Sequence, residues 1–291
     1  MDSASFTTRF APSPTGLLHK GHAFSALTAF HAAMSEGGRF ILRIEDIDAT
    51  RVRPDYDAAI LEDLAWLGLS WEQPVRRQSE HMDDYRAALE RLAGEGLIYR
   101  CFRTRREVLD EISRAPHGPG EGPEGQVFRG APPPAAEEAR RLAAGEPFAW
   151  RLSLDAARRF LGEAAWAGLG FNEQGEGPGG EHGWITARPQ TAGDVVLARK
   201  DVGVAYHLAV TVDDALQGIT HVVRGQDLFE AAHIQRLLQV LLGLPEPVYR
   251  HHRLLTTDDG RRLAKRDRAE TLRDLRARGV TAQALRAELG V

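Results

Sequence analysis

Residues 6–38 read as a strand, a short turn and a helix, and that junction limits the folds open to this chain more than any other feature. The extended stretch ends at Arg9-Phe10, and Pro12, Pro14 and Gly16 punctuate the turn that follows. From Ala23 onward Leu27, Phe30 and Met34 fall at helical spacing, until Gly37-Gly38 stops the run. A strand that feeds a helix through small residues leaves backbone N–H groups pointing outward, which makes a site for an anion. His19-Lys20-Gly21-His22 stands at the mouth of that helix. Two imidazoles there can donate to phosphate oxygens without adding a fixed charge. The four residues alone are a weak signal. The ten that precede them strengthen it.

The alternation continues beyond this unit. Pro54 opens a helical segment with Ile60, Leu61, Leu64 and Leu67 on one face, ended by Gly68. A second run over 81–95 carries Tyr85, Leu89 and Leu92 and stops near Gly96. Strands alternating with helices predict an α/β fold with a Rossmann-like, doubly wound parallel sheet. The pattern then breaks, because 11 of the 20 residues from 115 to 134 are Gly or Pro, a density that no helix or central strand tolerates. A second Gly-rich patch spans 168–183. The expected organisation is therefore a first half of a Rossmann-like domain at 1–99, a loop-rich insertion at 100–192, a second half at 193–250, and a loop with a short helical C-terminal extension at 251–291. In the second half, 219–223 reads as a short buried strand. The helix after it shows Ile234, Leu237, Leu238 and Leu241 on one face. The tail over 271–289 reads as helical through Leu272, Leu275, Leu285 and Leu289. Ligands of such sheets bind at the carboxyl ends of the strands, near the point where strand order reverses.

Composition excludes several classes. Hydrophobic residues make up 43% and charged residues 27% of 291, which is ordinary for a globular chain long enough to bury a full core. No stretch approaches a membrane span and the N-terminus carries no signal-peptide pattern, so a cytoplasmic, non-membrane protein is expected. A single cysteine, Cys101, excludes an internal disulfide and a multi-cysteine metal site. The net charge of −4 does not advertise nucleic-acid binding, but a local basic face is what matters there. Residues 261–278 hold Arg261, Arg262, Lys265, Arg266, Arg268, Arg273, Arg276 and Arg278 against Asp267, Glu270 and Asp274.

Four blocks in order resemble class I aminoacyl-tRNA synthetases of the glutamyl branch. The 9–22 segment is similar to the "HIGH" region. Phe40-Ile41-Leu42-Arg43-Ile44-Glu45-Asp46-Ile47-Asp48 with Arg51 is similar to that branch's second block. Tyr206-His207-Leu208-Ala209, Asp213-Asp214 and the run from Gly218 to Gly225 are similar to its third. Leu263-Ala264-Lys265-Arg266 after Asp259-Gly260 sits where the "KMSKS" loop would be.

The resemblance implies an ATP-dependent ligase whose amino-acid substrate is L-glutamate. Arg9, Phe10, Ala11, Pro12, Ser13, Glu45, Tyr206 and Arg224 would form the glutamate site. Arginine's planar fork suits a desolvated carboxylate; which of Arg9 and Arg224 takes which carboxylate is left open. Glu45 would receive the ammonium, and Tyr206 would supply a hydroxyl and a wall. His19, Gly21, His22 and Lys265 would bind ATP, and His19, His22 and Lys265 would carry catalysis by neutralising phosphate charge. Mg2+ would arrive with ATP, held mainly by phosphate oxygens and water. Asp46, Asp48, Asp213 and Asp214 could serve the fold by hydrogen bonding and are not expected to be metal ligands.

Two departures stand out. The mobile-loop block reads Arg262-Leu263-Ala264-Lys265-Arg266, with Arg262 for the family's first lysine and Ala264 for its serine. That places rate in doubt more than activity. Relatives often bind zinc in the insertion through a C-x-C pair and a later cysteine, whereas Cys101 stands alone here and His117 is insufficient with it; no zinc is expected. Discriminating glutamyl-tRNA synthetases continue into a helical region that reads the anticodon, and this sequence ends at Val291. The length and late blocks are similar to glutamyl-queuosine tRNA(Asp) synthetases. The implied reaction is transfer of glutamate to queuosine in the anticodon loop of tRNA(Asp), by a monomer. A truncated or split glutamyl-tRNA synthetase and a non-catalytic amino-acid-binding module are the alternatives.

Overall fold

The computed structural model describes residues 5–104, 106–108, 127–199, 203–255 and 270–291. Lys265, with Gly260, Arg262, Ala264 and Arg266, lies outside the described residues, as does His117.

The strand–turn–helix unit forms as expected: β1 (Thr7–Phe10), the proline-rich turn, then α1 (Lys20–Ser35). Next come β2 (Arg39–Ile44), α2 (Pro54–Trp66), β3 (Arg76–Arg77) and α3 (Met82–Gly94). Strands β1, β2 and β3 pair in parallel. Pro54 occupies the first turn of α2, where its missing N–H costs nothing. Then follow β4 (Ile98–Cys101), α4 (Ala135–Ala143), β5 (Ala149–Leu152), α5 (Leu154–Ala167), β6 (Gly170–Glu173), β7 (Gly183–Thr186), β8 (Val196–Arg199) and β9 (Gly203–Val204). The chain returns through α6 (Tyr206–Leu216), β10 (His221–Gly225), α7 (Phe229–Leu241) and β11 (Val248–His252), and closes with α8 (Leu272–Ala277) and α9 (Ala282–Leu289).

β10, β11 and β6 run parallel, with β7 antiparallel at their edge. β10 lies beside β1: the Thr220 amide donates to the Thr7 carbonyl at 3.0 Å, and the Thr7 amide donates to Thr220 Oγ1 at 2.8 Å. The three-stranded sheet β3-β2-β1 and the larger, four-stranded sheet β10-β11-β6-β7 thus lie side by side, and order reverses between β1 and β10. That junction is the switch point where such folds bind ligands.

Alternation along the central strands builds two cores. Phe40, Leu42, Ile44 and Val223 face α1, Leu27 and the C-terminal leucines, while Ile41 and Val222 face the opposite core with Tyr85, Leu208 and Ile234. Both faces are buried, which is why β2 reads as a near-continuous apolar run. The tail differs from one helix. Gly279, at φ +81°, breaks it into α8 and α9. Leu272, Leu275, Leu285 and Leu289 still reach the same core as Leu18.

The stretch expected as an insertion supplies strands to both sheets. β4, β5, β8 and β9 form a separate antiparallel sheet, whereas β6 and β7 join the large one. Asp194 ties the small sheet together: its carboxylate accepts from Tyr99 Oη at 2.9 Å, Gly130 N at 2.9 Å and Leu154 N at 3.1 Å. Such a buried carboxylate is tolerated because its oxygens are hydrogen-bonded.

Candidate active site

Charged side chains gather at the carboxyl ends of the strands around the switch point. Asp213 and Asp214 enter from α6, and arginines on β1, β2 and β3 meet them. Arg9 donates from Nε to Asp214 Oδ1 at 3.0 Å and from Nη2 to Oδ2 at 3.3 Å. Arg43, fully buried, donates to Asp214 at 2.8 Å, to Gln217 at 2.9 Å and to Glu45 at 3.1 Å. Asp213 accepts from Arg76 Nε at 2.8 Å, from Gln78 at 2.8 Å and from Tyr85 Oη at 2.9 Å. Burial works against these charges. For Arg43 the attraction of Asp214, Glu45 and Asp213 outweighs that penalty and holds the guanidinium well above its ordinary value. Burial raises Asp214, but Arg9 and Arg43 more than compensate, and its pKa ends lowered. The two aspartates are thus hydrogen-bonding centres of the fold. Asp46 likewise accepts from Ser79 N at 2.8 Å and Oγ at 2.6 Å, and Asp48 from Thr50.

Arg224, at the end of β10, is arranged differently. It is buried, yet both its hydrogen-bond partners are neutral: Nε donates to His251 Nε2 at 3.0 Å and Nη1 to Gln235 Oε1 at 2.8 Å. Its Nη2 is buried with no partner among the described residues. A buried cation without an anion is costly, and the cost is recovered when a carboxylate arrives. Arg9 differs, since Asp214 already offsets its charge. Between the two arginines the structure therefore gives Arg224 the open valence.

Glu45 and Tyr206 lie close by. Burial raises the Glu45 carboxyl, opposed by Arg43 and Arg9. Burial also raises the Tyr206 hydroxyl, which feels Arg224, Glu45 and Arg9. The fold thus brings Arg9, Glu45, Tyr206 and Arg224 into one electrostatic neighbourhood. Within the 9–13 block, Phe10 packs into the core with Leu27, and the Pro12 carbonyl accepts the Glu45 amide at 3.0 Å. Ser13 is exposed. A cavity of about 140 Å³ borders Tyr206 and is also lined by His207, Asp227 and Glu230. It shares only Tyr206 with the arginine cluster.

The histidine turn is held by its own backbone. His19 caps α1: its Nδ1 accepts from Gly21 N at 3.1 Å, and His22 Nδ1 accepts in turn from His19 N at 3.2 Å. With both Nδ1 atoms accepting, the proton of each neutral ring sits on Nε2. Gly21 is needed at this spot, because a Cβ there would stand 2.9 Å from His19 Cε1. The C-terminal extension docks on the same turn, with the Leu272 amide donating to the Leu18 carbonyl at 2.8 Å and His19 bridged to Thr271.

Sequence reasoning passed over Arg43, Glu173, Gln235 and His251. Arg43 carried a legible signal, a charge inside an otherwise apolar strand. Gln235 and His251 carried none without the register of β10 and β11. Among the described residues no group of three or more His, Cys, Asp or Glu is placed to hold a metal. Cys101 is buried against Tyr99, Val108 and Phe128. No described helix is long and apolar enough to cross a membrane.

Comparison with known proteins points to a family. Residues 5–156 and 181–290 match the family of class I tRNA synthetases (E and Q), catalytic domain. The chain is 46% identical to a glutamyl-Q tRNA(Asp) synthetase of Rhodobacter capsulatus, over 98% of this chain and 99% of that protein. It is 41% identical to the enzyme of that name from Nocardia farcinica, over 93% of this chain and 79% of the relative. Among solved structures it superposes on a glutamate tRNA ligase from Elizabethkingia meningosepticum in complex with its amino acid, with a TM-score of 0.71 and 28% identity. That match covers 90% of this chain and 52% of the ligase, so the chain spans about half its length. A class I catalytic fold, the order of its four blocks and near-complete overlap with such a relative lead to one assignment: this chain belongs to the glutamyl-Q tRNA(Asp) synthetase family of class I tRNA synthetases.

Proposed function

We propose that this chain activates L-glutamate with ATP and transfers the glutamyl group to queuosine in the anticodon of tRNA(Asp). The observation that carries the reading is the 46% identity across 99% of a relative bearing that name. Action on tRNA places the enzyme in the cytoplasm.

In the first step a carboxylate oxygen of glutamate attacks the α-phosphorus of ATP, and pyrophosphate leaves. In the second, a hydroxyl of the acceptor nucleoside attacks the acyl carbon, and AMP leaves. No side-chain nucleophile is needed, so catalysis consists of positioning and charge neutralisation. Arg224 binds a substrate carboxylate through its unpartnered Nη2, with Arg9 beside it. Glu45 receives the ammonium, and Tyr206 and Ser13 complete the wall. His19 and His22 present Nε2–H groups to the phosphates, and Lys265 adds a cation. Magnesium, carried in with ATP, supplies further charge neutralisation on the phosphate oxygens, and no carboxylate cluster among the described residues is assigned to it.

Pyrophosphate exchange and labelled glutamate test this reading. Exchange is expected with glutamate and ATP in the absence of any tRNA, and stable transfer only to tRNA(Asp) that contains queuosine. Strict tRNA dependence of exchange, or an ester at a 3′-terminal adenosine, would move the chain to the glutamyl-tRNA ligases proper. Absence of glutamate-dependent exchange under every condition would leave a binding module.

A further inference from the structure

Three adjacent parallel strands each place one polar side chain in a row. Arg224 on β10 is register partner to His251 on β11, and Glu173 ends β6, the next strand over. All three are buried. The Glu173 carboxylate accepts from His251 Nδ1 at 2.5 Å, from the His251 amide at 2.8 Å and from the Gly175 amide at 2.8 Å. Its acceptance from Nδ1 puts the ring proton there, and a neutral His251 then has a lone pair on Nε2. Arg224 Nε donates to that atom at 3.0 Å. The Tyr249 ring lies parallel to the His251 ring, with 5.9 Å between centroids, and Arg224 sits over it at 5.3 Å. The guanidinium is thus fixed on two sides by neutral acceptors and on a face by an aromatic ring. Its charge stays available.

We propose that Glu173 and His251 are positioning residues that aim Arg224 at the substrate carboxylate: Glu173 selects the His251 tautomer, and His251 orients the arginine without neutralising it. Neither touches the substrate. This rests on the functional reading above, in which Arg224 binds glutamate. The arrangement separates two requirements that conflict at a carboxylate-binding arginine. A direct carboxylate on Arg224 would orient it but would also occupy its charge, as Asp214 does for Arg9. An imidazole interposed between Glu173 and Arg224 orients it and keeps the anion one ring away. Partners of this outer kind commonly carry a large share of a site's affinity.

Glu173→Gln makes the sharpest test. The amide can present an N–H to His251 Nδ1, which favours the other tautomer. Nε2–H then faces Arg224 Nε–H, donor against donor. The KM for glutamate should rise about 10- to 100-fold, as for lost outer partners elsewhere, while the KM for ATP stays within about twofold. His251→Phe should produce the same rise, and Glu173→Gln added to His251→Phe should raise it no further, because the two act as one unit. Nitrogen NMR of histidine in the full chain should show the proton on Nδ1 of His251 in the wild type and on Nε2 in Glu173→Gln. Glutamate affinity measured by calorimetry reads the relay without turnover. A wild type that binds glutamate but does not exchange pyrophosphate would overturn the functional reading and leave the relay to be judged on Kd. An unchanged glutamate KM and Kd in folded His251→Phe, or additive losses in the double variant, would overturn the relay.

Discussion

An arginine cluster and a single buried arginine stand on neighbouring strands and are treated in opposite ways. Arg9, Arg43 and Arg76 face Asp213, Asp214 and Glu45, and each donates to at least one carboxylate. Arg224 faces His251 and Gln235 and keeps an unpartnered Nη2. The first group is paired with carboxylates inside the protein, so it holds strands β1–β3 against α6. The second is unsatisfied, so its energy is released on binding. Burial alone therefore does not mark a binding residue. The chemical type of its partners does.

Exchanging the roles of Arg43 and Arg224 for an apolar side chain should break that comparison if it is wrong. Arg43→Met removes the fully buried cation that Asp214, Glu45 and Asp213 share, and removal of one partner from a buried ion pair costs about 3–5 kcal/mol. Denaturant unfolding should show a loss of that size. Arg224→Met removes two hydrogen bonds to neutral groups and relieves a buried charge, so its stability should fall by no more than about 1–2 kcal/mol. Its glutamate activation should nonetheless drop about 100- to 1,000-fold, equivalent to about 3–4 kcal/mol in the transition state. Equal stability losses in the two variants would erase the distinction between the groups.

Acid separates the same two regions at different pH. Burial pushes His251 down to about 4, and His207 and His233 also to about 4. The unfolded chain takes up these protons near pH 6.5, while the native state refuses them until about pH 4. Each histidine therefore contributes stability that is fully present above 6.5 and lost as pH falls toward 4. Among the described residues, Glu173, Arg224, Tyr249, His233 and His252 are titratable or charged groups that face His251. Asp214, whose pKa is lowered in the fold, behaves otherwise: its contribution persists above the unfolded carboxyl value and is lost only below about 4. Urea unfolding from pH 7 to 4.5 should thus weaken the protein through its histidines while Asp214 stays ionised. His251→Gln should flatten that fall by about one proton, or about 2–3 kcal/mol across the window. A slope unchanged by His251→Gln would show that His251 takes up its proton in the native state at the same pH as in the unfolded chain.

Much of this contrast was legible before the structure, and the reasons are local. The Pro12–Gly16 turn, the Pro54 helix start and the apolar faces of α1 and α7 follow from periodicity and backbone chemistry, which neighbours along the chain determine. Arg9, Glu45, Tyr206 and Arg224 were singled out because each sits in a recognisable block. The relay was not, because Glu173 and His251 are 78 residues apart and meet only through the register of β6 and β11. Glu173 also lay inside a stretch whose glycines suggested loops, although β6 and β7 belong to the large sheet. The tail read as one helix because its leucines keep helical spacing across Gly279. Spacing alone cannot reveal a chain reversal that returns both halves to one core.

The smallest expected effect concerns the histidine turn, where stability and activity should part. Gly21 lies in the first turn of α1, and alanine is favoured over glycine within a helix by about 1 kcal/mol. On stability alone Gly21→Ala should be neutral or favourable. A Cβ at this position, however, would stand 2.9 Å from Cε1 and 3.1 Å from Nδ1 of His19. The ring must tilt, which loosens its bond from the Gly21 amide and turns Nε2–H from the direction fixed by the cap. The turnover of pyrophosphate exchange should fall about 3- to 10-fold, at most about 1.4 kcal/mol. The KM for glutamate should stay unchanged, because Arg224, Glu45 and Tyr206 are held by other elements. A variant that is more stable and equally fast would remove His19 from the phosphate site. A variant with a raised glutamate KM would show instead that the turn and the Arg224 pocket move together.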